Sequence, residues 1–226
     1  MSQDRDGIRR VILQAALRAV PFDGWSAQTL DQAVEAIKAT GIDTAQARSA
    51  FPGGAKQLLS FFMAEADRDM VAEAAARGLH QGPVRQRIGG IIRLRLEILA
   101  PHREAIRRAL ALQLLPGKAP NAIVGLYRTV DAIWRAAGDD SVDFNFYSKR
   151  AILAAVYSAT VVYWLDDRSE GCAETWTFLD RRLADVLRLP KAMARAERLI
   201  GGLPSPFSIL RKARSRVPAG FRPPGR

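Results

Sequence analysis

The sequence has few of the side chains on which metal and disulfide sites depend. Its 226 residues include one cysteine, Cys172, and two histidines, His80 and His102, which lie 22 positions apart. A single cysteine excludes an intrachain disulfide and suits a reducing compartment. Metal ligation requires clustered His, Cys or carboxylate ligands, and neither histidine has a second ligand at helical spacing. The composition therefore predicts neither a metal site nor a cofactor.

Motifs for nucleophilic catalysis and for phosphate binding are also missing. The chain contains no G-x-S-x-G, no Walker loop and no dinucleotide fingerprint. Its glycine pairs lack the flanking strand that such loops require. Gly53-Gly54 is typical of a joint between helices, and Gly89-Gly90 indicates a close helix–helix contact.

Two carboxylate pairs, Asp139-Asp140 and Asp166-Asp167, are the best candidates for acid–base catalysis. Both pairs stand at the ends of predicted helices, where aspartate commonly caps or turns the chain. We therefore expect a protein that is not an enzyme.

The hydropathy pattern of the sequence predicts neither a membrane-spanning helix nor a signal peptide. The longest charge-free run, Ala151 to Leu165, has 15 residues, fewer than the roughly 20 that a spanning helix needs. The sequence thus predicts a soluble cytoplasmic chain. The run is nevertheless apolar on every side, so its own core, a second subunit, a lipid or a partner protein must cover it.

The positive charge is concentrated at one end of the chain. Residues 188–226 hold 10 basic residues and 1 acidic residue, whereas residues 1–60 hold 7 and 6, and residues 61–187 hold 17 and 16. The net charge of +11 is therefore that of a basic tail on an almost neutral body.

The spacing of apolar residues predicts a series of helices separated by Gly and Pro. β-branched alternation is scarce, and apolar residues recur at helical spacing in nine successive segments. Ser26 is placed to cap the second segment and Gly41 to end it, while the ninth, from about Cys172, is predicted to end at Leu189 before Pro190. The sequence predicts an all-α protein.

A tenth helix is predicted over Lys191 to Gly201, with basic residues on one face and apolar residues on the other. Such a helix in a basic tail suits adsorption to anionic lipid, where each cation contributes about 1 kcal/mol. The alternatives are non-specific binding of nucleic acid and packing back on the body. The predicted membrane-binding residues are Lys191, Met193, Arg195, Arg198, Leu199, Ile200, Leu203 and Phe207.

The first three helices resemble the head of a TetR-type regulator, in which a helix-turn-helix reads the major groove. The third helix, however, is I-D-T-A-Q-A-R-S-A-F, and Arg48 is its only basic residue. DNA binding needs cations to neutralise phosphates, and this head is almost neutral. A DNA-binding regulator with a hydrophobic effector is therefore kept as an alternative function.

Several separated motifs resemble the ubiquinone (coenzyme Q) biosynthesis accessory proteins of the lipid-binding, TetR-like type. They are P-F-D-G-W-S, F-P-G-G, R-T-V-D-A-I-W, D-F-N-F-Y-S-K-R-A-I-L-A-A-V-Y, Y-W-L-D-D-R-S and T-W-T-F-L-D-R-R-L-A-D-V, in that order. The resemblance implies a TetR-like helical homodimer with a degenerate DNA-binding head and an apolar pocket for an isoprenoid quinone intermediate or phospholipid. It also implies an amphipathic C-terminal helix that docks on the inner face of the membrane.

A surface near the T-W motif is implied to present the quinone intermediate to a ring-modifying hydroxylase of the pathway. The corresponding partner-binding residues are Trp164, Leu165, Asp166, Asp167, Thr175 and Trp176. This chain departs from the family pattern in the turn before the T-W motif, where it has Glu170, Gly171 and Cys172.

The fifth to eighth helices can supply the apolar lining that a lipid needs. The predicted lipid-binding residues are Leu94, Ile98, Leu112, Leu126, Trp134, Ile152, Val156, Tyr157 and Val161. The predicted domains are a head over residues 1–65, a lipid-binding and dimerisation body over 66–189 and a membrane-binding tail over 190–226. A purely structural dimer is the remaining hypothesis.

Overall fold

The computed structural model describes residues 2–113, 119–139 and 146–199, with side chains for 5–112, 123–139 and 149–186. Within these ranges the chain forms nine α-helices, three short 3-10 turns and no strand. The helices are α1 (Ser2–Asp23), α2 (Ala27–Ala36), α3 (Thr44–Ala50), α4 (Gly54–Ala76), α5 (Val84–Leu99), α6 (Arg103–Gln113), α7 (Ala119–Ala136), α8 (Phe146–Asp166) and α9 (Ala173–Leu199). The all-α prediction is confirmed.

Side-chain caps and left-handed glycines set the ends of the first helices. Ser26 Oγ accepts the Thr29 N–H at 3.1 Å and caps α2, as predicted, and Asp43 caps α3 through the Gln46 N–H at 3.0 Å. Gly24 and Gly41 adopt φ of 68° and 80°, a region that favours glycine. Local chemistry therefore places the joints of the N-terminal helices.

Arginine side chains bind the carbonyl ends of helices that are distant in sequence. Arg9 donates to Ala50 O at the end of α3, and Arg108 donates to Pro21 O in the last turn of α1. At the end of α8, Arg107 donates to Leu165 O at 2.6 Å. These last-turn carbonyls have no partner within their helix and carry the negative end of the helix dipole, so a cation stabilises them.

Helices α5 and α9 approach closely at a glycine. A Cβ built on Gly89 would lie 3.3 Å from Leu183 Cδ1, tighter than most real contacts of this kind. Arg85 of α5 donates to Asp180 O of α9 at 2.9 Å. The prediction of a close helix–helix contact at Gly89-Gly90 is confirmed for Gly89.

Helix α9 does not end before Pro190, so the predicted stop at Leu189 is wrong. Its backbone is helical through to Leu199. Proline removes one i→i−4 hydrogen bond, and this local cost is offset in a long helix rich in Ala, Leu and Arg. The predicted ninth and tenth helices are thus one helix.

None of the helices in the described ranges combines the length and the apolar character that crossing a bilayer requires. The predicted three-domain division stays a prediction.

Candidate functional site

Helix α8 presents two apolar faces to two different surroundings. Its inner face is buried and carries Leu153, Val156, Tyr157, Thr160, Val161 and Trp164. On the opposite face Ile152 and Val162 are 38% and 58% exposed, and the exposed Ala155 and Ala159 lie between them. The charge-free run is therefore covered on one side by the protein's own core, while its outer stripe stays uncovered in the monomer.

The predicted lipid-binding residues fall into three classes of burial. Leu94, Val156, Tyr157 and Val161 are buried, whereas Ile152 is exposed. The half-buried members are Ile98, Leu112, Leu126 and Trp134. These buried and half-buried residues belong to α5, α6, α7 and α8, and their contact with lipid stays a prediction.

A buried polar network crosses this body. Arg95 of α5 is fully buried and forms an ion pair with Asp67 of α4, with 2.6 Å between Nη1 and Oδ1. Its Nε donates to Tyr157 Oη at 2.9 Å, and its Nη2 donates to Thr129 Oγ1 at 3.3 Å. Thr129 in turn donates to Asp67 Oδ2 at 3.2 Å. The network joins four helices, α4, α5, α7 and α8.

The network fixes the charges inside the body. Burial acts to lower the pKa of Arg95, but Tyr157 and Asp67 outweigh it and raise the pKa, so the guanidinium stays cationic. Burial raises the pKa of Asp67, and Arg95 and Thr129 oppose that rise. An unpaired buried charge destabilises the folded state, so Arg95 and Asp67 can each be buried only because the other is present.

Sequence reasoning missed this network, although a signal for it exists. Arg95 follows Ile88, Ile91 and Ile92 and precedes Leu99 at spacings of three and four, the register of the buried face of α5. A charged residue in that register predicts a buried partner. Tyr157, expected as an apolar lining residue, is one of those partners.

The α8–α9 junction is organised around Asp167. Its Oδ1 accepts the Ser169 N–H at 2.8 Å and the Ser169 hydroxyl at 2.6 Å. Its Oδ2 accepts the Thr175 N–H at 2.9 Å and the Thr175 hydroxyl at 2.5 Å. Burial acts to raise the pKa of Asp167, but these four hydrogen bonds lower it well below its usual value. Asp167 therefore caps α9 and fixes the turn that leads into it.

Two adjoining clefts open beside this junction. One, of about 480 Å³, is lined by Arg103, Arg107, Leu165, Asp166, Asp167 and Arg168. The other, of about 600 Å³, is lined by Ala159, Val162, Tyr163, Asp166, Asp167, Arg168, Ser169 and Glu174. The first is lined mainly by charged residues, and the second runs onto the outer stripe of α8.

The predicted partner-binding residues lie at this junction, but they are not equally accessible. Asp166 has an 80% exposed side chain and pairs with Arg107 at 3.0 Å, and Trp176 is half-buried. The other four are buried: Trp164, Leu165, Asp167 and Thr175. Trp164 lies under the Arg103 guanidinium, 4.6 Å from its carbon to the ring centroid. In the monomer, only Asp166 and Trp176 of the six present substantial surface to a partner.

The turn before the T-W motif, where the sequence differs from the family pattern, has a defined conformation. Glu170–Cys172 forms a 3-10 turn in which Gly171 and Cys172 both adopt positive φ, 59° and 58°. Arg103 Nη2 lies 3.0 Å from Cys172 Sγ. The Gly171 carbonyl accepts the Trp176 indole N–H at 2.7 Å. The turn thus connects the core side of the junction to the half-buried Trp176.

The predicted membrane-binding residues divide at the end of α9. Lys191, Met193, Arg195, Arg198 and Leu199 belong to its helical backbone. Ile200, Leu203 and Phe207 lie outside the described residues.

The N-terminal head offers little positive surface on its third helix. The exposed residues of α3 are Ala45, Gln46, Arg48 and Ser49. Arg5 and Arg9, which come from α1, donate to the carbonyls of Ser49 and Ala50. Two of the head's cations therefore stabilise the end of α3.

This helical arrangement is that of the TetR-like proteins. The crystal structure of a TetR transcriptional regulator from Nitrosomonas europaea matches it with a TM-score of 0.62, over 79% of this chain and 97% of that chain, at 22% sequence identity. At that identity the likeness establishes the fold alone. The chain is an all-α protein with a TetR-like fold, as predicted.

The sequence comparisons narrow this class to one family. The COQ9 family model matches residues 119–190. The mitochondrial ubiquinone biosynthesis protein COQ9 of Rattus norvegicus is 31% identical over 212 residues, which are 89% of this chain and 67% of the relative. The human protein of the same name is 30% identical, over 89% of this chain and 65% of its own length. The chain belongs to the COQ9 family of ubiquinone biosynthesis proteins, and it spans about two thirds of the length of these relatives.

Proposed function

We propose that this chain is a non-enzymatic, lipid-binding accessory protein of ubiquinone biosynthesis. It takes up a quinone intermediate from a membrane, holds the isoprenoid tail in its helical body and presents the head group to a partner hydroxylase. Its membership in a family named for ubiquinone biosynthesis carries the proposal. The predicted homodimer, the peripheral membrane location and the absence of catalysis belong to the same proposal.

The distribution of apolar surface supports a lipid role. Beyond the outer stripe of α8, the neighbouring α7 exposes Ile123 at 66%, Val124 at 51% and Tyr127 at 41%. Contiguous exposed apolar side chains favour an interaction with lipid or protein over solvent. The half-buried Leu126 and Trp134 lie on the same helix.

The chemistry of the α8–α9 junction supports a partner role. Tryptophan is among the residues that dominate binding energy at protein interfaces, and the half-buried Trp176 lies at the same junction as the exposed Asp166 and the two clefts. The four buried members of the predicted set support this surface from below.

Native mass spectrometry of the purified protein, combined with lipid extraction, tests the proposal directly. We expect a co-purifying isoprenoid quinone or phospholipid. Protein that carries no lipid and does not bind liposomes would contradict the proposal. Tight, salt-dependent binding in a gel shift with promoter DNA would instead favour the DNA-binding regulator.

The membrane role of the tail is tested by deletion of residues 191–226. We expect loss of flotation with anionic liposomes, while circular dichroism reports an unchanged thermal transition for the remaining body. Substitution of Lys191, Arg195 and Arg198 by glutamine in the intact chain is the matched control for charge. Flotation that survives the deletion refutes this role.

The partner role is tested with Trp176→Ala and with the pathway's purified ring hydroxylase. We expect clearly weaker binding with only a small loss of thermal stability, because Trp176 is half-buried and its indole donates one hydrogen bond, to Gly171 O. A large loss of stability would place Trp176 in the core. Turnover of the quinone intermediate by this chain alone would contradict its non-enzymatic role.

A further inference from the structure

The indole of Trp176 is held at its edge and at one face, although it lies partly in solvent. Its Nε1 donates to Gly171 O at 2.7 Å. The Arg93 guanidinium of α5 lies over the ring, with its carbon 4.8 Å from the centroid. Together these contacts hold both the tilt and the position of the ring.

Arg93 is itself held by a chain of ion pairs that runs from α5 to the end of α4. Its Nε donates to Glu97 Oε1 at 3.1 Å, one turn further along the helix. Glu97 also pairs with Arg77 at 3.6 Å, and Arg77 pairs with Glu73 of α4 at 2.7 Å. With its Nε directed to Glu97, the planar guanidinium can lie flat against the indole, an arrangement that Arg favours.

The same stack also occurs in the core, where it has a different consequence. Arg103 lies over Trp164, whose side chain is almost fully buried, so packing alone holds that ring. Trp176 has no such enclosure. A half-exposed aromatic ring that is already fixed loses little side-chain freedom when a partner binds, and pre-organisation of this kind strengthens binding.

We infer that Arg93 is a positioning residue for the partner surface: it holds the Trp176 indole, through cation–π stacking, in the orientation that the hydroxylase contacts. This inference rests on the proposed function. Arg93 acts through Trp176, and the partner binds the ring face and edge that Arg93 and Gly171 leave open.

The position of the ring can be measured without any partner. The indole ¹⁵N–¹H resonance of Trp176, assigned with Trp176→Phe, is compared in wild type, R93Q, R93K and R85Q. R85Q is the matched control, because Arg85 also joins α5 to α9 but does so through Asp180 O. We expect R93Q to shift the indole resonance and to increase its exchange with solvent. R93K keeps the cation but not the planar stack and should shift the resonance less than R93Q does. R85Q leaves the resonance near the wild-type position.

Binding of the same four proteins to the purified ring hydroxylase then tests the consequence. Loss of an exposed cation–π contact corresponds to about a two- to five-fold weaker affinity for R93Q. R93K should fall between R93Q and wild type, and R85Q should lie within about two-fold of wild type. An indole resonance unchanged by R93Q overturns the inference, as does equal weakening by R85Q. Failure of the wild type to bind the hydroxylase contradicts the proposed function instead, and the resonance measurement still decides whether Arg93 holds the ring.

Discussion

Replacement of Asp167 by alanine should destabilise the protein strongly. Thr175 is fully buried, so its N–H and hydroxyl lose their acceptor without access to water. An orphaned buried donor costs about 1–3 kcal/mol, and two at about 1.5 kcal/mol give about 3 kcal/mol. The more exposed Ser169 contacts add less than about 1 kcal/mol. At 2–4 °C per kcal/mol in a chain of this size, the unfolding temperature should fall by about 10 °C.

Its neighbour Asp166 provides the matched control. That side chain is 80% exposed and forms an ion pair with Arg107, a type of contact that contributes about 0–1 kcal/mol. Differential scanning calorimetry of Asp167→Ala and Asp166→Ala should therefore separate them by about 7 °C or more. Equal unfolding temperatures would refute the assignment of Asp167 as the support of the junction.

The acid limb of the stability curve gives a second measurement on Asp167. Its folded pKa lies below that of the unfolded chain, so the folded state binds fewer protons and stability rises with pH. The contribution is complete above about pH 4 and is lost as the pH falls further. Asp167→Asn should flatten this slope, and a slope identical to that of wild type would count against the four hydrogen bonds.

Two further predictions concern the interior. Arg95→Met leaves the Asp67 carboxylate buried without its partner, so urea denaturation should show a free energy of unfolding lower by about 3–5 kcal/mol. Adding Asp67→Asn should restore part of this stability. A decrease below about 1 kcal/mol would contradict the network. Burial lowers the pKa of His102, so the unfolded chain binds more protons and stability should fall as the pH drops below about 6.5. Unfolding temperatures measured between about pH 5 and 8 should lose this dependence in His102→Gln, and an unchanged slope would contradict it.

Several helix joints in this chain coincide with a glycine, whereas one of the prolines expected to end a helix does not. Gly24, Gly41 and Gly138 all adopt positive φ directly after helical segments, because a residue without Cβ enters that region at little cost. Pro190, in contrast, lies inside α9, which continues to Leu199, whereas α1 ends at Asp23, two residues after Pro21. A proline removes a single hydrogen bond, and whether a helix ends there depends on the contacts of the residues beyond it, which the local sequence does not contain.

The motifs placed the candidate partner-binding residues around one turn, but they did not predict which of these residues are exposed; that they bind a partner stays a prediction. The T-W motif and the acidic pair do meet at one junction, because both flank the same turn between α8 and α9. Which of these residues faces outward could not be read from the motif, since Asp166 and Asp167 are adjacent and identical in type. The burial of Asp167 and Thr175 results from the path of the turn, and Arg93 enters from a helix about 80 residues earlier in the chain.

The arginine–carbonyl contacts give this protein long-range cross-links without disulfides. Arg108 reaches across 87 positions to Pro21, and Arg85 across 95 positions to Asp180. In both cases a planar donor binds a main-chain oxygen, so the bond survives a change of the acceptor's side chain but not of the arginine. Mutational tolerance should therefore be asymmetric along the chain. Arginine-to-lysine changes in the body, which keep the net charge, should be selected against more strongly than many charge-altering substitutions at exposed acidic positions.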